Sequence, residues 1–208
     1  MDRSVSTTNP IAIVLAAGLS RRMGRAKLEL PWGDTTLLGH VVQMIQSDLG
    51  WPLVVVRGPT AEGIKGATVV SNPYPERGLA DSLKLGVGAA VNMGAENSAI
   101  AVFLADQPFV TAADAMTLWQ ALKAHDGCRA VRPRYHGKTG HPVLLWARRI
   151  MDGLSGLHGD QGLGAWLRAQ PDVIEIEMRI NGRPSPAWDL DRPEDYTAAR
   201  LAGSGGKT

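Results

Sequence analysis

Short runs of apolar residues alternate along the chain with stretches in which apolar positions recur every three or four residues. Residues 11–15 (IAIVL), 53–56 (LVVV), 67–70 (ATVV) and 100–104 (IAVFL) read as strands. Continuous β-branched runs such as IAIVL fit strands buried on both faces of a parallel sheet. Between them, residues 35–49 carry Leu37, Leu38, Val41, Val42, Ile45 and Leu49 at helical spacing, and Leu79, Leu83, Val87 and Val91 repeat along a second helix. Thr111 followed by Asp114 resembles a capping box, with Asp in place of the preferred Glu or Gln, and opens a helix to about residue 125. In the last third, 130–134 and 142–146 read as strands around the loop YHGKTGH, and 161–169 reads as a helix. Residues 173–178 (VIEIEM) alternate as an edge or half-exposed strand does, and 193–201 starts a helix with Pro followed by Glu194 and Asp195. Strands alternating with helices predict an α/β layer fold with a mostly parallel sheet.

Length and composition narrow this little. The chain has 208 residues, 44% hydrophobic and 20% charged, which predicts one domain over 1–208 with flexible ends at about 1–9 and 203–208. A net charge of +2 with no long basic block argues against a nucleic-acid partner. The single cysteine, Cys128, excludes an internal disulfide and reads as a small half-buried strand residue. The first ten residues are polar and no apolar run is long enough to span a bilayer, so a cytoplasmic protein without membrane attachment is expected.

The candidate chemistry lies in the turns that follow two apolar strands. In open α/β sheets, ligands bind beyond the carboxyl ends of the strands. The first strand runs into LAAGLSRRMGRAK. Ala16, Ala17 and Gly18 are small enough for backbone N–H groups to approach a ligand closely, and Arg21, Arg22 and Lys27 add fixed cations. That combination suits a polyphosphate. It is neither a P-loop nor a G-x-G-x-x-G turn. The second strand ends in ADQPFV, where Asp106 needs a partner. A divalent ion shared between carboxylates and phosphates would supply one. His141 and His158 have no acid partner evident in sequence, and the six tryptophans read as packing residues, with Trp188 beside Asp189 the one to watch.

The first turn resembles the signature LAAGxSxRMGxxK of nucleotidyltransferases that activate pterin, isoprenoid and sugar precursors. Every fixed element is present: Leu15, Ala16, Ala17, Gly18, Ser20, Arg22, Met23, Gly24 and Lys27. The tripeptide Asp106-Gln107-Pro108 resembles the metal-binding segment of the molybdenum-cofactor branch, the MobA/MocA-like family. NPYPERGLADSL, with Asn72, Gly78, Leu79 and Ser82, is similar to the family's segment near the nucleotide. GKTGHPVLL, with Gly140, His141 and Pro142, and GDQGLGAWL resemble segments of its cytidylyl members, and WDLDRPEDY resembles its closing motif. The resemblance covers residues 11 to about 200.

It implies a three-layer Rossmann-like fold, with an antiparallel strand in the parallel sheet and a small peripheral β element. It also implies transfer of CMP from CTP to molybdopterin, with release of pyrophosphate. Leu15 to Gly18, Ser20, Arg21, Arg22, Lys27, Asn72, Gly78, Ser82, Gln107, Pro108, Gly140, His141 and Pro142 would bind the substrates, with Arg22, Lys27 and Asp106 catalytic. Asp106 with Asp191 or Asp189, Asp191 being preferred, would hold Mg²⁺, with Mn²⁺ as the alternative ion. The product would pass to a molybdoenzyme or its maturation chaperone. Ala17 is tied in the family to cytosine, where guanylyl members carry glycine. Transfer to another phosphorylated acceptor, guanylyl transfer, and a non-catalytic cofactor-handing role remain the alternatives.

Overall fold

The first apolar run forms β1 (Ile11–Ala16), buried along its whole length. The computed structural model describes residues 9–20, 23, 26–59, 62–125 and 127–204. After β1 a short hairpin, β2 (Pro31–Trp32) and β3 (Thr35–Thr36), leads into α1 (Leu37–Gln43) and a π-helical continuation, Met44–Leu49. There follow β4 (Leu53–Arg57), β5 (Thr68–Ser71), α2 (Leu79–Asn92), β6 (Ala99–Leu104) and α3 (Ala112–Ala124). The chain then forms β7 (Ala130–Tyr135), β8 (Lys138–Thr139), β9 (Val143–Trp146), α4 (Ala147–Leu154), α5 (Leu163–Arg168), β10 (Val173–Glu177) and α6 (Pro193–Ser204).

The main sheet has the order β10-β7-β9-β6-β1-β4-β5, with β8 paired to β7. β6, β1, β4 and β5 are parallel neighbours, as are β10 and β7. β9 runs against both β6 and β7, and the short β8 also runs against β7. β2 and β3 form the small separate element. Because β9 is reversed, its entrance, not its exit, lies at the edge where β1 and β6 end. Two residues of extra chain separate the β7–β8 register from the β7–β9 register, and the Gly140–Pro142 bend takes them up.

Alternate residues of β1 face two cores. Ala12, Val14 and Ala16 pack with α1, its π-helical end and α3, while Ile11, Ile13 and Leu15 pack with α2, α4 and α5. This is a three-layer α/β sandwich. Gly86 lets α2 lie close on the sheet: a Cβ there would stand 2.6 Å from Ile13 Cγ2 and 3.1 Å from Val56 Cγ2. A third cluster joins Met23, Leu30, Leu37, Leu190, Tyr196 and Ala199 with Trp32, Phe109 and Trp188, and seats α6 beside the β2–β3 hairpin. At the sheet margin, Arg132 pairs with Glu175 across β7 and β10, and Arg134 reaches Glu175 at 3.1 Å. Among the described residues no helix is long and apolar enough to cross a membrane.

Two expectations are corrected. Thr35 and Thr36 do not begin the helix: they pair with β2, and the Thr36 hydroxyl caps α1 by accepting from Gly39 N–H at 3.0 Å. Cys128 is fully buried, not half-buried, against the α3 side of the core.

Candidate active site

The chain leaves β1 through Ala17 and Gly18 and turns at Ser20, whose φ of 49° is left-handed. The bend closes on that serine. Its carbonyl accepts from Met23 N–H at 3.0 Å, and its hydroxyl accepts from Lys27 N–H at 3.3 Å. Arg21, Arg22, Gly24 and Arg25 lie outside the described residues.

Lys27 is 8% exposed. Its ammonium donates to Asp106 Oδ2 at 2.7 Å and to Asp191 Oδ1 at 2.9 Å. Burial alone would lower its pKa, but the two carboxylates outweigh burial and hold it above the ordinary lysine value. The end of β1, the end of β6 and the loop before α6 thus meet at one ammonium group.

The two acidic segments are fastened together. Leu190 N–H donates to the Asp106 carbonyl at 3.3 Å, and Gln107 Nε2 donates to Asp189 Oδ1 at 2.7 Å. Trp188 stacks on Phe109 with centroids 6.0 Å apart. Arg183 donates to the Phe109 carbonyl and to Asp114 Oδ1, both at 2.5 Å. Asp114 is also half of the capping box with Thr111 that starts α3. Asp189 is exposed as a residue, but the part of its carboxyl inside the cleft is desolvated. That desolvation, with the charges of Asp106 and Asp191, raises its pKa against the lowering bond from Gln107.

The facing wall comes from the start of α2. Ser82 accepts from buried Asn72 Nδ2 at 2.9 Å, and Asn72 Oδ1 accepts from Tyr74 N–H at 2.9 Å. Gly78, with φ of 100°, lies against the 157–162 loop, where Ala80 N–H donates to the Gly159 carbonyl at 3.0 Å. The two family-like segments around Gly78 and Asp160 are therefore one unit.

Together these parts line a cleft of about 510 Å³. Its lining includes Leu15, Ala17, Gly18, Ser20, Lys27, Gly78, Ser82, Asp106, Asp189 and Asp191. Among the described residues, Leu19, Leu28, Pro75, Glu76, Leu79, Leu104 and Asp160 also line it. Of these, Pro75, Glu76, Leu79 and Asp160 sit inside segments that carried a signal, whereas Leu28 carried none.

Several expected binding residues do not reach the cleft wall. Ala16 faces the α1–α3 core. Asn72 and Gln107 are buried and hold Ser82 and Asp189 in place. The Pro108 carbonyl accepts from His40 Nε2 at 3.0 Å. Gly140 packs on the Tyr135 ring, and Tyr135 Oη donates to the His141 carbonyl at 3.2 Å. His141 lies within the field of Asp106, yet burial lowers its pKa to about 4, so it is neutral at pH 7. Its Nδ1 and Gln107 Oε1 are buried without a partner among the described residues. His158 is exposed. Among the described residues no three His, Cys, Asp or Glu side chains form a ready-made metal cluster.

Comparison with known proteins agrees with this architecture. The MobA-like NTP transferase domain matches residues 12–173. The chain is 26% identical to molybdenum cofactor cytidylyltransferase of Escherichia coli K12 over 90% of this chain and 94% of that protein. It is 31% identical to purine catabolism protein PucB of Bacillus subtilis 168 over 92% of this chain and 96% of that one. Among solved structures, Rv0371c of Mycobacterium tuberculosis H37Rv superposes with a TM-score of 0.78 at 28% identity, covering 95% of this chain and 100% of that one. A manganese complex of Rv0371c superposes with a TM-score of 0.71 at 24% identity, over 94% and 100% of the two chains. The cleft at the ends of β1 and β6, on a fold shared with these proteins, makes this chain a nucleotidyltransferase belonging to the MobA-like NTP transferase family.

Proposed function

We propose that the chain transfers CMP from CTP to the phosphate of molybdopterin, releasing pyrophosphate, with a divalent ion at Asp106 and Asp191. The observation that carries this is the convergence of Lys27, Asp106 and Asp191 at the mouth of β1. The donor set fits Mg²⁺ or Mn²⁺: hard carboxylate oxygens, two of which already share one cation. Asp106 and Asp191 would hold the ion, with Asp189 as a further oxygen donor in the same cleft. Such an ion neutralises phosphate charge and helps stabilise the charge developing on the phosphate oxygens.

The acceptor phosphate is already an anion at neutral pH, so no strong general base is required. One of its oxygens forms a bond to the α-phosphorus of CTP, and the bond to the β-phosphate oxygen breaks. Both partners are negative, and the barrier is chiefly electrostatic, so cations and positioning carry the catalysis. Lys27 neutralises phosphate charge, as would Arg22, which lies outside the described residues. Backbone N–H groups of Ala17 and Gly18 approach the nucleotide from the end of β1. The Ala17 methyl on the cleft wall favours the smaller base, cytosine. Support for the acceptor comes from the cytidylyltransferase relative. A molybdoenzyme or its maturation chaperone would receive the product.

The test is pyrophosphate release by purified protein with Mg²⁺, molybdopterin and each NTP in turn. CTP is expected to be the preferred donor, and D106N to lower kcat by about 100-fold or more. Preference for GTP, or turnover retained in D106N, would overturn the proposal.

A further inference from the structure

The two carboxylates that would receive a metal share one cation in this structure. Lys27 Nζ stands 2.7 Å from Asp106 and 2.9 Å from Asp191, within charge-assisted hydrogen-bond distance of both. The three groups come from parts of the chain 79 and 164 residues apart, so the fold itself builds the arrangement. Among the described residues the cleft is otherwise acidic: Glu76, Asp160 and Asp189 line it with Asp106 and Asp191, and Lys27 is the cation among them. A divalent ion bound to the Asp106 and Asp191 oxygens that face Lys27 would sit within a few ångströms of the ammonium, where like-charge repulsion is strong.

We infer that Lys27 is a stand-in cation that keeps Asp106 and Asp191 closed to a free metal ion, so that metal and triphosphate enter together. This rests on the metal reading proposed above. Phosphate oxygens accept the ammonium's hydrogen bonds in place of the two carboxylates, and the carboxylates so released coordinate the ion that arrives with the nucleotide. The side chain therefore has two successive partners, and the true substrate is the metal–nucleotide complex.

The probe is Mn²⁺ alone, titrated into the full chain without nucleotide and followed by electron paramagnetic resonance or calorimetry. The wild type is expected to bind it weakly and to gain affinity on addition of CTP. K27M is expected to bind free Mn²⁺ at least about tenfold more tightly than wild type and to lose most of the CTP-dependent gain. K27Q, whose amide still donates to the carboxylates but carries no charge, is the second variant if K27M folds poorly. It is expected to change in the same direction. Wild-type or weaker Mn²⁺ affinity in both variants overturns the inference, and a loss of binding in D106N then shows that the metal site itself stands. Failure of the wild type to bind Mn²⁺ with CTP present overturns the metal reading and the inference with it.

Discussion

Replacing Gly78 with alanine tests whether the two segments facing the nucleotide act as one wall. Gly78 has φ of 100° and ψ of −177°, a region open essentially to glycine alone. Holding alanine there costs about 1–3 kcal/mol. Its Cβ would also stand 2.3 Å from Gly159 C, 2.4 Å from Gly159 O and 2.7 Å from Asp160 N. These are backbone atoms and cannot rotate away, so the loop must retreat by about 1 Å to restore ordinary contact. That retreat breaks the Ala80–Gly159 hydrogen bond, a loss of about 1 kcal/mol. The total is about 2–4 kcal/mol, or a fall in Tm of about 4–16 °C for a domain of this size. Asp160 moves with the loop, so KM for the nucleotide rises as well. The assay is a thermal melt by circular dichroism beside steady-state kinetics. G88A serves as control, since its Cβ meets nothing within 4 Å on the same helix and alanine is the better helix former. A G78A protein melting within about 2 °C of wild type, with unchanged KM, would refute the reasoning.

Two further outcomes follow from buried groups. His141 has a folded pKa near 4 against an ordinary 6.5, so the unfolded chain binds the extra proton first, and stability is lost as pH falls from about 6.5 to 4. H141N removes that contribution, about 1–3 kcal/mol at pH 4, and urea unfolding at several pH values is expected to show a shallower slope than wild type; equal slopes would contradict this. R183A strips the guanidinium from Asp114, which is 4% exposed, and is expected to cost about 2–4 kcal/mol in urea unfolding. The D114N/R183A pair is expected to cost less than the sum of its singles, and strict additivity would contradict the coupling.

The apolar runs made most of the architecture legible. IAIVL and IAVFL are long, buried on both faces and unmistakable, and they become β1 and β6. The alternation in VIEIE marks an edge strand, and β10 is one. What escaped was short or non-periodic. β2, β3 and β8 have two residues each, too few to display a period, and α4 follows β9 without a turn residue between them. The site divides in the same way. Its small residues and Asp106 were visible because they follow buried strands, and Asp189 and Asp191 because WDLDRPEDY resembles a family motif. The contact between Lys27 and Asp106 was not, because it is made across the sheet and no local pattern encodes it. For the same reason Asn72 and Gln107 looked like ligand groups, although they brace Ser82 and Asp189.

The last strand, β10, has a single hydrogen-bonded neighbour, which leaves its outer row of amides and carbonyls open. Such a row is a template onto which a foreign strand can add. Here Glu175 and Glu177 stand along it, tethered to Arg132 and Arg134 of β7, while Ile174 and Ile176 turn inward. A second molecule docking there would have to bury those fixed carboxylates beside its own. Edge carboxylates of this kind oppose the addition of a second strand, and concentrated salt, by screening them, weakens that opposition.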